Sequence, residues 1–274
     1  MLLGGAVFAE GLGLTAPTAA EWSVHWRGNV TNADRAADRI DAWNVKVDIA
    51  GASVRLVDRR TGLTTGWQAG LEAWPDYPGL SSAQAGLVLG SRHKFGLGPL
   101  APVLSLTGRL AARAGAERDR SVVGGAGQVE LTKRVVEIWR LGLAYEWSRE
   151  EAPGPVFDRV AREGTLRSEL QLGRRWGWTL SVSQRQGDVV SYSRPPRPDL
   201  VQAGKKLVLV DTFRQGTPLL AYYFPAETTS VAGELAFDRT ERRTWFARVE
   251  YRDTRDATQR YLNTSLAVGL RHRW

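Results

Sequence analysis

The chain has 274 residues with eleven Trp, three His and no Cys, and a formal charge of +8. The lack of Cys excludes a disulfide framework and thiolate chemistry. At a mean hydropathy of −0.29, no stretch approaches the ~18 consecutive apolar residues of a helical membrane span. The basic residues are spread singly instead of gathered in a patch, which argues against nucleic acid as a partner.

The N-terminus, M-L-L-G-G-A-V-F-A-E, is apolar, with small residues where a signal peptidase would cut. It lacks a basic leader region, so residues 1–20 read as a signal-peptide remnant with an N-terminal arm; a short apolar strand is the alternative. From residue 21 onward the chain alternates with period 2. Candidate strands in order are 21–31, 42–57, 64–74, 81–93, 103–113 and 121–132, then 136–148, 165–173, 178–185, 228–238, 245–252 and 262–274. In 42–57 the phase breaks near Gly51-Ala52-Ser53, which predicts a β-bulge.

The segment 136–148 is the clearest strand. Trp139, Leu141, Leu143, Tyr145 and Trp147 form one face, and Ile138, Arg140, Gly142, Ala144 and Glu146 the other. The two Trp stand about 26 Å apart along a strand at ~3.3 Å per residue. Tilted, that spacing approaches the apolar band of ~25 Å flanked by aromatic girdles in a transmembrane barrel. A helix would scatter the same residues around its circumference.

The last segment reads L-N-T-S-L-A-V-G-L-R-H-R-W. Leu262, Thr264, Leu266, Val268, Leu270, His272 and Trp274 share one face; Asn263, Ser265, Ala267, Gly269, Arg271 and Arg273 share the other. This strand resembles the C-terminal signal strand of Gram-negative outer-membrane β-barrels, through Gly269, His272 and the final Trp274. His272 departs from the aromatic or aliphatic residue usual at its step. The resemblance implies reading by the barrel-assembly machinery and a cell outer membrane location, among outer-membrane lipids and lipopolysaccharide.

The fold expected is all-β: a single antiparallel transmembrane barrel over 21–274, of about twelve strands, or fourteen if 188–226 holds another hairpin. That segment reads as one long extracellular loop, because Pro218 and Pro225 bracket an apolar run too short to span. Its aromatics, with Tyr192, Phe213, Tyr222 and Tyr223 foremost, suit a gating loop. With the termini in the periplasm, the pairs Arg59-Arg60, Lys133-Arg134, Arg174-Arg175 and Arg242-Arg243 fall on periplasmic turns, facing anionic head groups.

Little in the chain has the pattern of a catalyst. His25, His93 and His272 are dispersed, so no metal site and no cofactor is implied. Ca²⁺ at the outer loops has no ligand spacing to support it. Gly124-Gly125-Ala126-Gly127 lacks the helix and Lys-Ser/Thr of a phosphate loop. The water face is more informative: Arg109, Arg113, Arg140, Arg167, Arg185 and Arg248 with Glu146, Glu169 and Glu250. A charge on the lipid midplane would cost ~2–4 kcal/mol for Arg, so these belong in the lumen. Arg and Glu are expected to pair across strands and leave a narrow basic path.

The leading functional expectation is a channel or export conduit for a small or extended polar, anionic solute. The alternatives are a lipid- or lipopolysaccharide-modifying enzyme and the barrel module of a larger export protein. A His within hydrogen-bond reach of a hydroxyl at one rim would favour the enzyme.

Overall fold

The structure is a computed structural model describing residues 18–32, 42–193, 206–210, 219–256 and 260–273. Thirteen strands follow one another: β1 (Thr18–Asn32), β2 (Ala42–Leu56), β3 (Thr61–Ala73), β4 (Ser82–Lys94), β5 (Val103–Gly115), β6 (Val122–Val136) and β7 (Trp139–Glu151). Then come β8 (Arg159–Leu172), β9 (Trp176–Ser193), β10 (Lys206–Val210), β11 (Leu219–Thr240), β12 (Arg243–Arg255) and β13 (Arg260–Arg273). All pairings are antiparallel between neighbours in one sheet. β9 also pairs with β11, and β13 with β1, so the sheet closes on itself. β10 lies outside that ring, hydrogen-bonded only to the upper end of β11.

Closure removes the sheet edge, the condition for a strand structure to sit in lipid with every backbone group satisfied. Side-chain alternation then divides the molecule. On β5, Leu104, Leu106, Leu110 and Ala112 share one face, and Ser105, Thr107, Arg109 and Arg113 the other. Leu87, Leu106, Leu110, Leu143, Leu166 and Val249 are all exposed. A wall of exposed Leu and Val around a charged interior is the polarity of a membrane barrel and the reverse of a soluble one. The fold is a closed antiparallel β-barrel of transmembrane polarity.

Two sequence expectations need correction. β2 pairs with β3 without any register shift, so there is no bulge at Gly51. The apparent break in phase comes from the lower end of β2, where Ser53 and Arg55 keep the outward parity and Val54 turns into the lumen beside Gly62 and Arg92. A Cβ at Gly51 would stand 2.7 Å from Trp67 Nε1, so that glycine makes room for an indole lying over the outer wall. Register shifts occur instead at Gly28/Val30, Arg134/Val136 and Asp238/Thr240, all near strand ends.

The second correction concerns 188–226. It is not one loop. β9 runs to Ser193 and β11 begins at Leu219, so both strands project above the wall. The flanking ladders stop at Ala161–Gly187 and Glu227–Arg255. Beyond those points β9 and β11 pair with each other, and β11 with β10. Phe213 lies outside the described residues, as do residues 1–17 and Trp274; residues 18–20 belong to β1.

Candidate functional site

The β9–β11 extension leaves the wall at Gly187, whose φ is +154°. A Cβ at this position would meet the Val160 carbonyl at 2.3 Å, so only glycine fits. Pro225 sits opposite Asp188, just above. Proline is tolerated on β11 because the strand is leaving the ladder there.

The extension buries two faces. On one, Ala221, Tyr223, Val190 and Tyr192 pack with Val156 and Phe157 of the β7–β8 loop and with Tyr77 and Leu80 of the β3–β4 loop. On the other, Tyr222, Phe224 and Ala226 pack with Val189 and Tyr261 of β13. The Tyr222 and Tyr261 hydroxyls are hydrogen-bonded to each other. Buried Arg120, from the β5–β6 loop, places its guanidinium 5.5 Å from the Phe157 ring centroid and 5.1 Å from that of Tyr192.

The geometry of the ring gives these contacts their meaning. Counting strands around the closed sheet, the β3–β4 loop lies half a turn from the β9–β11 junction. Contact between them requires the extension to cross the outer mouth along a diameter. Of the four aromatics expected to gate, Tyr192, Tyr222 and Tyr223 are therefore in a cap across the mouth.

Below the cap the lumen is charged. Arg109 pairs with Glu146 across the intervening β6, and Arg140 with Glu169 at 3.3 Å. Arg167 lies 3.9 Å from both Glu130 and Glu169. Glu250 takes Arg248 at 3.4 Å and Arg252 at 2.7 Å. Arg271 holds Glu234 through two hydrogen bonds of 2.7 and 2.9 Å and stacks on Phe246 at 4.3 Å. By strand alternation the lumen residues expected from sequence share this inner face; all but Arg185 stand beside an opposite charge, so there is no unbroken arginine row. The Arg109 and Arg140 side chains are still 18% and 37% exposed, so water reaches the pairs.

Neutralisation is least complete just beneath the cap. Arg113 is 3.8 Å from Glu150, whose carboxylate is already held closely by Arg159. Arg185 has no carboxylate within ion-pair distance among the described residues, though it feels Arg159, Glu163, Glu150 and Arg252. Arg159, Glu150 and Glu163 fall between the expected strands 136–148 and 165–173, so periodicity does not assign them to the lumen. The only signal there was the alternation of Arg159, Ala161, Glu163 and Thr165 with Val160, Arg162, Gly164 and Leu166. It is weak because both faces turn polar above the bilayer.

A His–hydroxyl pair of the kind expected for an enzyme occurs among the described residues. Thr61 Oγ1 and His93 Nδ1 are 3.0 Å apart at the periplasmic rim. Asp58, in the β2–β3 turn, accepts hydrogen bonds from the backbone N–H of Arg60 at 2.6 Å and of Thr61 at 2.8 Å. Those two donors hold its carboxyl below the usual carboxylate range. Asp58 thus caps the turn and is not free to orient the imidazole, which meets Phe95 edge-on at 5.1 Å. His25 pairs in backbone register with Asn44 and Ala267, and His272 with Arg243 and Ala20. No cluster of metal-ligating side chains occurs among the described residues.

No family model matches the chain, and no curated protein matches it in sequence. Solved structures do match in shape. An outer membrane channel from Pseudomonas putida F1 superposes with a TM-score of 0.62 at 13% identity, covering 98% of this chain and 99% of that one. The CymD monoaromatic hydrocarbon channel superposes with a TM-score of 0.54 at 8% identity, covering 95% and 89%. This chain has their fold: an outer-membrane β-barrel. Identities so low speak for architecture alone.

Proposed function

We propose that the chain is an outer-membrane channel for a small or extended polar, anionic solute, gated by the β9–β11 extension. The observation that carries this reading is the placement of an aromatic cap across the mouth, directly above the incompletely neutralised Arg113 and Arg185. An aromatic cap slows entry by occlusion, and a basic ring beneath it favours anions over cations. Both structural neighbours named above are described as channels. The hydrocarbon solute of one does not suit this lumen, where the inner face is lined by Arg, Glu, Ser and Thr.

Planar-bilayer recording of the refolded chain tests the proposal, with a deletion of 189–224 that rejoins the strands at the level of the wall. Removing the cap should raise unit conductance several-fold while current remains anion-leaning. Silence in both forms, or a strong preference for cations, would sink the channel reading. The Thr61–His93 pair supports a second reading, a lipid-acting enzyme, which His93→Ala checks directly. Hydrolysis of phospholipid by the parent chain and not by this variant would establish it.

A further inference from the structure

The outer wall at the periplasmic end carries a feature separate from the lumen. Phe237 of β11 pairs in register with Trp176 of β9 on one side and Trp245 of β12 on the other. The Trp176 and Phe237 ring centroids are 4.7 Å apart. These three aromatics end the lipid-facing rows that run through Leu235, Leu180 and Val249, all exposed. With the Trp176 and Phe237 rings tilted 44° to each other, they make an apolar platform at the depth where aromatic girdles meet the head groups.

Immediately beyond the platform, on the same strands and their turns, stand five exposed arginines: Arg174, Arg175, Arg239, Arg242 and Arg243. The Asp238 N–H donates to the Arg175 carbonyl at 2.7 Å and the Arg273 N–H to the Arg242 carbonyl at 2.9 Å, which tie both turns to the wall. The nearby carboxylates do not neutralise the group. Asp238 accepts the Thr244 hydroxyl on the inner face, and Glu241 is exposed on the turn. None of the five makes an ion pair among the described residues. The outer rim differs, since Arg255 and Arg260 there both close on Asp253 and Arg149 closes on Glu151.

We propose that this arc binds an anionic phospholipid of the inner leaflet. Its acyl chains would lie along the Trp176–Phe237–Trp245 platform and its phosphate among Arg175, Arg239 and Arg243. The guanidinium fork matches phosphate oxygens two at a time, and a cluster of like charges at a head-group plane is stabilised by anionic lipid. The inference does not depend on what passes through the lumen.

Native mass spectrometry of the refolded full chain, offered phosphatidylglycerol or phosphatidylcholine with the same acyl chains, tests it. The parent should retain phosphatidylglycerol about tenfold better, a preference that weakens as salt is added. Arg175→Gln/Arg239→Gln/Arg243→Gln should abolish the preference while keeping the heat-modifiable gel mobility of a folded barrel. Arg149→Gln, at the opposite rim, should leave it intact. Should the triple Gln chain fail to fold, the matching triple Lys chain should fold and retain a weakened preference. Equal retention of the two lipids, or an unchanged preference in the triple Gln variant, overturns the proposal. Displacement of phosphatidylglycerol by equimolar inorganic phosphate would assign the arc to a free anion and overturn it as well.

Discussion

At the periplasmic end four reversals are tight, within 57–60, 137–138, 173–175 and 241–242, and a longer one, 95–102, is closed by Phe95 N–H on Pro102 O at 2.9 Å; at the outer end the links include 74–81, 152–158 and the long passage from β9 to β11. The first set is held by backbone geometry. Val57 N–H donates to Thr61 O at 2.9 Å, and Asp58 caps the following amides. The second set has backbone turns too, such as Leu80 N–H on Tyr77 O at 2.9 Å, but its hold on the cap is made by side chains: two apolar clusters, a hydroxyl pair and an arginine over two rings. A backbone turn cannot open without losing its own hydrogen bonds. A packed cap can open by releasing side-chain contacts, at a cost set by packing. The barrel is thus stiff at the end facing the cell and adjustable at the end facing outside.

The largest test of this contrast is Phe157→Ala. It removes a buried ring touching Ala221 and Arg120 and should weaken the cap by about 3 kcal/mol. Hydrogen exchange at the 220–224 amides should speed up while the periplasmic half of β11 stays protected. Uniform loss of protection would show that the two ends are one cooperative unit. Next is Glu234→Ala in the lower lumen, which strands Arg271 on Phe246. Global stability to urea in detergent should fall by about 2 kcal/mol, with cap exchange unchanged relative to the rest. The smallest concerns Asp58, whose lowered carboxyl value means the turn is more stable above the ordinary carboxylate range. That contribution fades as pH falls through the lowered value. The protection factor of the Thr61 amide, its rate relative to the unprotected amide at the same pH, should therefore fall in acid in the parent, and Asp58→Asn should flatten that dependence.

Most of the wall was legible, for a physical reason. Between two lipid interfaces each residue must choose hydrocarbon or water, so β5, β7 and β13 alternate cleanly. The inner assignment of Arg109, Arg140, Arg167 and Arg248 followed from that rule alone. Above the bilayer the rule lapses. Val189, Val190 and Tyr192 with residues 221–224 pack on both faces, so they carry no alternation, and a continuous apolar run there reads as a loop. The lower end of β2 misled in the opposite sense. Near the periplasmic rim polar Ser53 and Arg55 take the outward positions and Val54 an inward one, which imitates a slip in phase. Lumen partnerships such as Arg271 with Glu234 depend on strands far apart in sequence, which periodicity does not encode.

The seam between β1 and β13 aligns Ala19 with Arg273 and Asn32 with Tyr261. Almost the whole chain separates these partners, so this ladder has the greatest sequence separation of any in the barrel. The equilibrium entropy of so long a closure grows only logarithmically with length, but such contacts are late and slow to form. Until they do, two hydrophobic strands expose unpaired edges, the state most open to misassociation with another chain. The time the nascent barrel spends ajar, more than the strength of its finished wall, then governs how much of it reaches the membrane intact.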